Sequence, residues 1–115
     1  MTTRYLETDE IICALATPPG RGGLAVIRMS GPGSLQVAKH ICPFLKENIQ
    51  SHTVHYGHLV DPKTAEVLDE ALVTYFAEGR SFTAQETLEF SIRGSPAVAD
   101  MVLQSLIANG ARMAE

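Results

Sequence analysis

The sequence predicts an α+β domain in which a mixed β-sheet carries two helices. Its segments follow the order ββαβββα and end in the beginning of a further strand, and turns that contain Gly or Pro separate them. The chain has 115 residues, of which 45% are hydrophobic and 19% charged. This length and composition suit one folded domain with a buried core and argue against a disordered chain.

Two apolar strands are predicted near the start, at residues 11–16 and 24–30. Residues 17–20 (TPPG) end the first strand, because tandem prolines remove backbone donors and fix φ, so a sheet ladder cannot continue through them. The second strand has one charged residue near its end, Arg28. That charge must reach water, a partner carboxylate or a ligand.

A first helix is predicted at residues 34–42, after the sequence GPG at residues 31–33 breaks the preceding strand. Four residues recur there at helical spacing: Leu35, Ala38, Ile41 and Cys42. Residues 43–51 are expected to form a polar connector to the next strand.

An antiparallel hairpin is predicted from two strands at residues 52–60 and 67–76. Residues 61–64 (DPKT) form the turn, since proline favours its second position. In the first of these strands, Val54, Tyr56 and Val60 are expected to share one face. Residues 77–85 are expected to form a loop.

The strand at residues 87–93 alternates cleanly, which is typical of a strand with one buried face. We expect Leu88, Phe90 and Ile92 to face the core. The residues expected to face away from it are Thr87, Glu89, Ser91 and Arg93.

A second helix follows, with Ser95 as its N-cap, Pro96 at its first position and Gly110 as its left-handed cap. Its expected inner stripe consists of Val98, Met101, Val102, Ser105 and Leu106. Residues 111–115 begin another strand and stop, so we expect residues 1–115 to be a domain excised from a longer protein.

The charge balance argues against a strong nucleic-acid-binding domain. The chain has 9 Lys and Arg against 13 Asp and Glu, for a net charge of −4, and a pI near 5.5. Domains that bind phosphate backbones on their own typically have a pI above about 9.

The remaining composition predicts a cytoplasmic protein without a membrane segment. Cys13 and Cys42 form no CxxC pattern, and the first ten residues lack the basic-then-apolar order of a signal peptide. The longest apolar run, residues 11–16, is far shorter than the roughly 20 residues that a membrane helix needs.

Residues 18–23 (PPGRGG) suggest a phosphate-binding loop at first sight. Such a loop needs the pattern GxxxxGK[ST] between a strand and a helix, so that backbone N–H groups meet the phosphates. Here no Lys-Ser or Lys-Thr follows, and the next element is a strand. A structural turn or an interface loop is therefore the favoured interpretation.

Three histidines, His52, His55 and His58, have a spacing that suggests a metal site. On a strand, however, His52 and His58 share one face and lie about 20 Å apart, while His55 faces the other way. Zn–N bonds of about 2.1 Å cannot bridge that distance. The sequence therefore predicts no metal site here.

Two further groups contain residue types that can take part in chemistry. Cys13 lies in an apolar strand and Cys42 on an apolar helix stripe, which favours small core residues over nucleophiles. Arg28 and Glu89, taken by themselves, suggest a solvated face or a mutual ion pair contributing under about 1 kcal/mol if exposed. No catalytic residue emerges from these patterns.

Several segments together resemble the tRNA-modification GTPases (the MnmE/TrmE family). The segments are, in order, ALATPPGRGG at 14–23, IRMSGP at 27–32, YGH at 56–58, VLDE at 67–70, SFT at 81–83 and LEF at 88–90. The resemblance extends over about residues 11–115, and the run ATPPGRGG is quite specific.

The resemblance implies the N-terminal, tetrahydrofolate-binding-like domain of such a protein, which forms a homodimer and binds a one-carbon folate such as 5-formyltetrahydrofolate. The longer parent would modify carbon 5 of the wobble uridine in certain tRNAs, together with an FAD-dependent partner protein. GTP hydrolysis, with magnesium and potassium, would occur in a separate domain that this chain does not contain.

Two folate-contacting residues of the family match Arg28 and Glu89, and a further lysine contact would lie beyond residue 115. The sequence departs from the family at residues 93–96, which read RGSP where the family usually has His-Gly-Gly-Pro. The alternative is that the domain serves mainly in dimerisation and that its folate pocket is weakened by this change.

Overall fold

The computed structural model describes residues 10–17, 24–79 and 85–114. Within them the chain forms six strands and two helices in the predicted order, which confirms the α+β class. The elements are β1 (Ile12–Leu15), β2 (Ala25–Ser30), α1 (Ser34–Ile41), β3 (Thr53–Val60), β4 (Val67–Phe76), β5 (Thr87–Ile92), α2 (Pro96–Ala108) and β6 (Arg112–Met113). Neither helix is long and apolar enough to cross a membrane.

The six strands form one mixed sheet in the order β3-β4-β5-β2-β1-β6. Its first five strands pair antiparallel with their neighbours, and β6 pairs parallel with β1 at the edge. The β3–β4 hairpin is the one expected from the sequence. Strand β5 lies between β4 and β2, so it joins the hairpin to the first two strands of the chain.

One face of the sheet packs against both helices and forms the core. Alternate strand residues point into it, among them the fully buried Ile27, Val73 and Phe90. From α1 the predicted residues Leu35, Ala38, Ile41 and Cys42 are all buried. Leu88, Phe90 and Ile92 of β5 also face the core, as expected.

The buried side of α2 differs from the predicted stripe: it leaves out Met101 and includes Ala99 and Leu103. Met101 is 46% exposed, whereas Ala99 and Leu103 are buried beside Val102 and Leu106. Most sides of α2 are apolar, so its sequence pattern fits more than one inner stripe, and packing selects one of them.

The outward face of β3 exposes two large apolar side chains, which the alternation alone does not indicate. Val54 and Tyr56 do share a face, but they are 58% and 61% exposed. The inward side has Gly57, where the ring of Phe44 packs so closely on the backbone that a Cβ would overlap it. Val60 follows an irregularity in the β3–β4 register and leaves this alternation.

Thr87 lies on the same side of β5 as Glu89, away from the core as predicted, but it is fully buried there. Its hydroxyl donates to the carbonyl of Gln85 at 2.9 Å and lies 3.2 Å from the hydroxyl of Ser30 on β2. The pairing of β5 with β2 makes this contact, which gives the buried Ser30 hydroxyl a partner.

Candidate functional site

Arg28 and Glu89 lie directly opposite each other on the paired strands β2 and β5. The Nη2 and Nε atoms of Arg28 both approach Oε2 of Glu89, at 2.8 Å and 2.9 Å. The side chains are 36% and 26% exposed, on the face of the sheet that the helices leave open. The strands therefore bring together two residues that are 61 positions apart in the chain.

Partial exposure keeps this ion pair weak. Water screens charges at such a surface, and pairs of this kind contribute at most about 1 kcal/mol to stability. Both contacts use the same carboxylate oxygen, and Oε1 of Glu89 accepts no hydrogen bond from another residue in the described ranges. One oxygen of Glu89 is thus available to an external donor.

Small side chains flank the pair across the sheet. The register sets Ala14 of β1 opposite Arg28, and Thr74 of β4 opposite Glu89. Neither Ala14 nor Thr74 has a charged group or a large ring. The outward side of the pair is consequently accessible to a flat, polar ligand.

A shallow apolar depression of about 240 Å³ lies beside the pair, toward β3 and β4. Leu24, Tyr56, Leu72 and Arg93 line it, together with Glu70, whose Oε1 accepts the Tyr56 hydroxyl at 3.0 Å. That hydrogen bond raises the pKa of the Tyr56 phenol, with smaller contributions from burial and from the Glu70 charge.

The sequence reasoning missed this depression. Tyr56 of β3 lies opposite Leu72 of β4, and Leu72 in turn lies opposite Ser91 of β5. Only the register across three strands assembles the site, and spacing along the chain contains no signal for it.

The segment between β5 and α2 accommodates the serine at position 95, where the resemblance implies a second glycine. Ser95 has φ −68°, an ordinary value, and its hydroxyl accepts the N–H of Val98 at 3.4 Å. Gly94, by contrast, has no room for a Cβ, which would meet Val98 and the Asp69 carboxylate. The backbone N–H of Arg93 also donates to Asp69, at 3.1 Å. The glycine that packing requires is therefore still present.

Both cysteines are free and buried, as predicted. Burial raises the pKa of each thiol, and the rise is larger for Cys42. A raised pKa keeps the thiol protonated at neutral pH, so neither cysteine has the thiolate form that a nucleophile needs.

The three histidines do not converge. His55 is half-buried on β3 and its Nε2 lies 2.8 Å from the Thr53 hydroxyl, whereas His58 is exposed on the opposite face, 4.0 Å from Glu70. His52 precedes the strand. In residues 10–17, 24–79 and 85–114, no three His, Cys, Asp or Glu side chains are grouped so that they could hold a metal ion.

Two of the motifs quoted from the sequence fall outside the described residues. They are PPGRGG at residues 18–23 and SFT at residues 81–83. The interpretation of the first as a structural or interface loop therefore stays a prediction.

Comparisons with known proteins give a consistent result. The family model described as GTP-binding protein TrmE N-terminus matches residues 11–115. The chain is 46% identical over 106 residues to a protein of Bdellovibrio bacteriovorus named tRNA modification GTPase MnmE, covering 92% of this chain and 22% of that protein.

Proteins of the same name from Lactobacillus gasseri and Koribacter versatilis are each 39% identical to this chain. These matches cover 97% and 96% of the chain, but only 24% and 25% of those proteins. The chain thus spans about a quarter of the length of these relatives.

Proposed function

The chain belongs to the family of the GTP-binding protein TrmE N-terminus, and on that premise we propose that it binds a one-carbon derivative of tetrahydrofolate, such as 5-formyltetrahydrofolate. The observation that carries this proposal is the Arg28–Glu89 pair, partly exposed on the open face of the sheet. These are the two positions that match folate-contacting residues of the family.

The chemistry of the pair suits the pterin ring. A pterin presents a ring N–H beside an amino group, and a carboxylate can accept both together. Oε1 of Glu89 already lacks a donor among the described residues, so one acceptor needs no rearrangement. The guanidinium of Arg28 is a rigid fork that suits a carbonyl or carboxylate of the same ligand.

Loosening the ion pair to admit the ligand has a small energetic cost. The two side chains are partly exposed, and such pairs contribute at most about 1 kcal/mol. New charge-assisted hydrogen bonds contribute about 1.5–3 kcal/mol each, which exceeds that cost. Arg28 and Glu89 would position the folate, which carries the one-carbon unit, and neither would act as a catalyst.

We also propose that the domain forms a homodimer. Val54, Tyr56 and Leu72 are neighbours on the open face of the sheet, and Leu24 is exposed beside them. Contiguous exposed apolar side chains on a folded domain mark interaction surfaces. A second copy of the chain that covers this face would remove these side chains from water.

The alternative function is a dimerisation module whose folate pocket is weakened by the change at residues 93–96. The local structure favours an intact pocket, because Ser95 has ordinary backbone angles and caps α2. Gly94, which packing requires, is retained. Absence of folate binding by an intact dimer would favour the alternative.

For the longer parent, we propose a cytoplasmic GTPase that modifies carbon 5 of the tRNA wobble uridine together with an FAD-dependent partner protein. The relatives named tRNA modification GTPase MnmE support the tRNA and GTPase parts of this proposal. GTP, magnesium and potassium would bind in a separate domain. The net charge of −4 suggests that other parts of the parent contact most of the tRNA phosphates.

Isothermal titration calorimetry of the parent protein with 5-formyltetrahydrofolate tests the folate proposal. We expect saturable binding that Glu89→Gln weakens about tenfold or more, because the substitution removes a charge-assisted acceptor. Glu78→Gln, which alters an exposed glutamate in the loop after β4, is the matched control and should leave the affinity unchanged. Equal affinities for all three proteins would contradict the assignment of Glu89.

Light scattering at micromolar concentration tests the homodimer. We expect a dimer that Leu72→Glu dissociates, whereas Val67→Glu, at a more exposed apolar position outside this group, should leave it intact. A monomeric wild-type protein would overturn both the homodimer and the alternative function.

A further inference from the structure

A second concave site lies away from the open sheet face, between α2 and the β3–β4 turn. This groove has a volume of about 400 Å³, which is within the usual range for small-ligand sites. Neither Arg28 nor Glu89 lines it, so the proposed folate site does not account for it.

Carboxylates dominate the rim of the groove. Asp61 and Glu66 come from the turn and Asp100 from α2, and Lys63 is the one basic side chain among the described residues that line it. Oδ1 of Asp61 accepts the backbone N–H of Lys63 at 2.8 Å, which fixes the turn. The rim therefore favours a cation.

Aliphatic surface lies between these charges. Met101 projects from α2 and is 46% exposed, and Leu68 of β4 is half-buried on the other side. The unexpected exposure of Met101 thus coincides with this groove. A bare inorganic ion gains nothing from such walls, whereas a ligand with methylene groups does.

The hydroxyl of Ser105 supplies a specific polar contact. Ser105 is only 8% exposed and lines the groove. Its backbone carbonyl accepts the side chain of Asn109 at 2.8 Å, but its hydroxyl makes no hydrogen bond with any other part of the chain that the structure describes. Since the described residues leave no fully buried side-chain polar atom without a partner, this hydroxyl oxygen is open to the groove, where a ligand can donate to it.

We propose that this groove binds an alkylammonium group. The ammonium donates to the Ser105 hydroxyl and to the rim carboxylates, while its methylene stem packs on Met101 and Leu68. This chemistry also distinguishes the site from a metal site, since the carboxylates are not grouped closely enough to share one ion.

Two sources supply such a group: a free aliphatic polyamine and the lysine side chain of another polypeptide. The probes are spermidine for the first and N-acetyl-lysine methylamide for the second, each titrated into the ¹⁵N-labelled chain and followed by amide chemical shifts. We expect saturable shifts confined to residues 61–68 and 100–109. Tighter binding of spermidine identifies a polyamine site, and tighter binding of the lysine derivative identifies a lysine site.

Three substitutions test the contacts one by one. Glu66→Gln and Asp100→Asn should each weaken binding about threefold, in keeping with one screened charge pair, and the double variant about tenfold. Ser105→Ala should weaken it by a similar factor without unfolding the chain, because it removes one unpaired hydroxyl. Glu47→Gln, an exposed carboxylate outside the groove, is the matched control.

Several outcomes would overturn the inference. They are shifts spread over acidic residues throughout the chain, an equal response to magnesium chloride at matched ionic strength, and equal losses in the Glu47→Gln control. Since neither Arg28 nor Glu89 lines the groove, these results are independent of whether the chain binds folate.

Discussion

The phenol of Tyr75 donates a 2.8 Å hydrogen bond to Oε2 of Glu86, while Oε1 of the same carboxylate accepts the N–H of Leu35 at 3.2 Å. The backbone carbonyl of Glu86 also accepts the N–H of Gly31. Glu86 therefore joins β4, the start of β5 and the first turn of α1, where backbone donors have no helical partner.

Removing the Tyr75 hydroxyl should destabilise the fold measurably. Tyr75→Phe keeps the ring and deletes one hydrogen bond, and we expect the free energy of unfolding to fall by about 1 kcal/mol. Urea denaturation near neutral pH measures the change. Tyr56→Phe is the control, because that hydroxyl is exposed and its loss should change stability by under about 0.5 kcal/mol. Equal losses in the two variants would contradict this role of Tyr75.

The Tyr75 phenol should also make the stability of the fold depend on pH under alkaline conditions. Burial, followed by the bond to Glu86 and its charge, raises the pKa of Tyr75 to about 12. Because its pKa is higher in the folded than in the unfolded protein, its stabilising contribution is present below about pH 10 and decreases as the pH rises toward 12.

The stability difference between the wild type and Tyr75→Phe should consequently be constant up to about pH 9 and shrink above about pH 10. Urea denaturation of both proteins at successive pH values measures this difference. Groups that titrate in both proteins contribute equally to the two stabilities, so their effects cancel in the difference. A difference that widens above pH 10 would show that the sign is wrong.

Gly57 should not tolerate a side chain, because the Phe44 ring occupies the space of a Cβ. We expect Gly57→Ala to lower the free energy of unfolding by about 1–3 kcal/mol through overpacking. In a Phe44→Leu background the same substitution should cost less, since a branched aliphatic chain can move aside. A double-mutant cycle by urea denaturation measures this coupling, and additive effects would contradict it.

The N-cap of α2 predicts an order of stability for the proteins with serine, glycine or alanine at position 95. Ser95→Ala should cost about 1 kcal/mol, whereas Ser95→Gly, the residue usual in the family, should cost only a few tenths. Thermal unfolding of the three proteins measures the order. A glycine variant less stable than the alanine variant would mean that the Ser95 hydroxyl does not act as the cap.

Much of the fold was predictable because its signals are local. Gly31 follows the end of β2, the alternation over Leu88, Phe90 and Ile92 identifies the buried face of β5, and the Ser95-Pro96 pair starts α2. The errors arose where a local pattern has two solutions. Met101 lies on a helix that is apolar on most sides, and the burial of Thr87 beside Ser30 depends on the pairing of two distant strands.

For the candidate site, the sequence indicated which residues are involved but not how they are arranged. Arg28 and Glu89 stood out as charges on otherwise apolar or alternating strands, and the family resemblance pointed to the same positions. Their contact, the depression around Leu72 and the groove at Ser105 each depend on the strand order or on the packing of α2.

The sequence by itself therefore determined the fold class, the order of the elements and the family, since periodicity, turn chemistry and motifs are written along the chain. Only the tertiary structure decided which face of the sheet stays open, that Glu89 meets Arg28 across β2 and β5, and that Met101 and Ser105 line a groove with Asp61. The physical reason is that side-chain contacts depend on strand register and helix rotation. These are fixed by the combined packing of all elements and by no single segment.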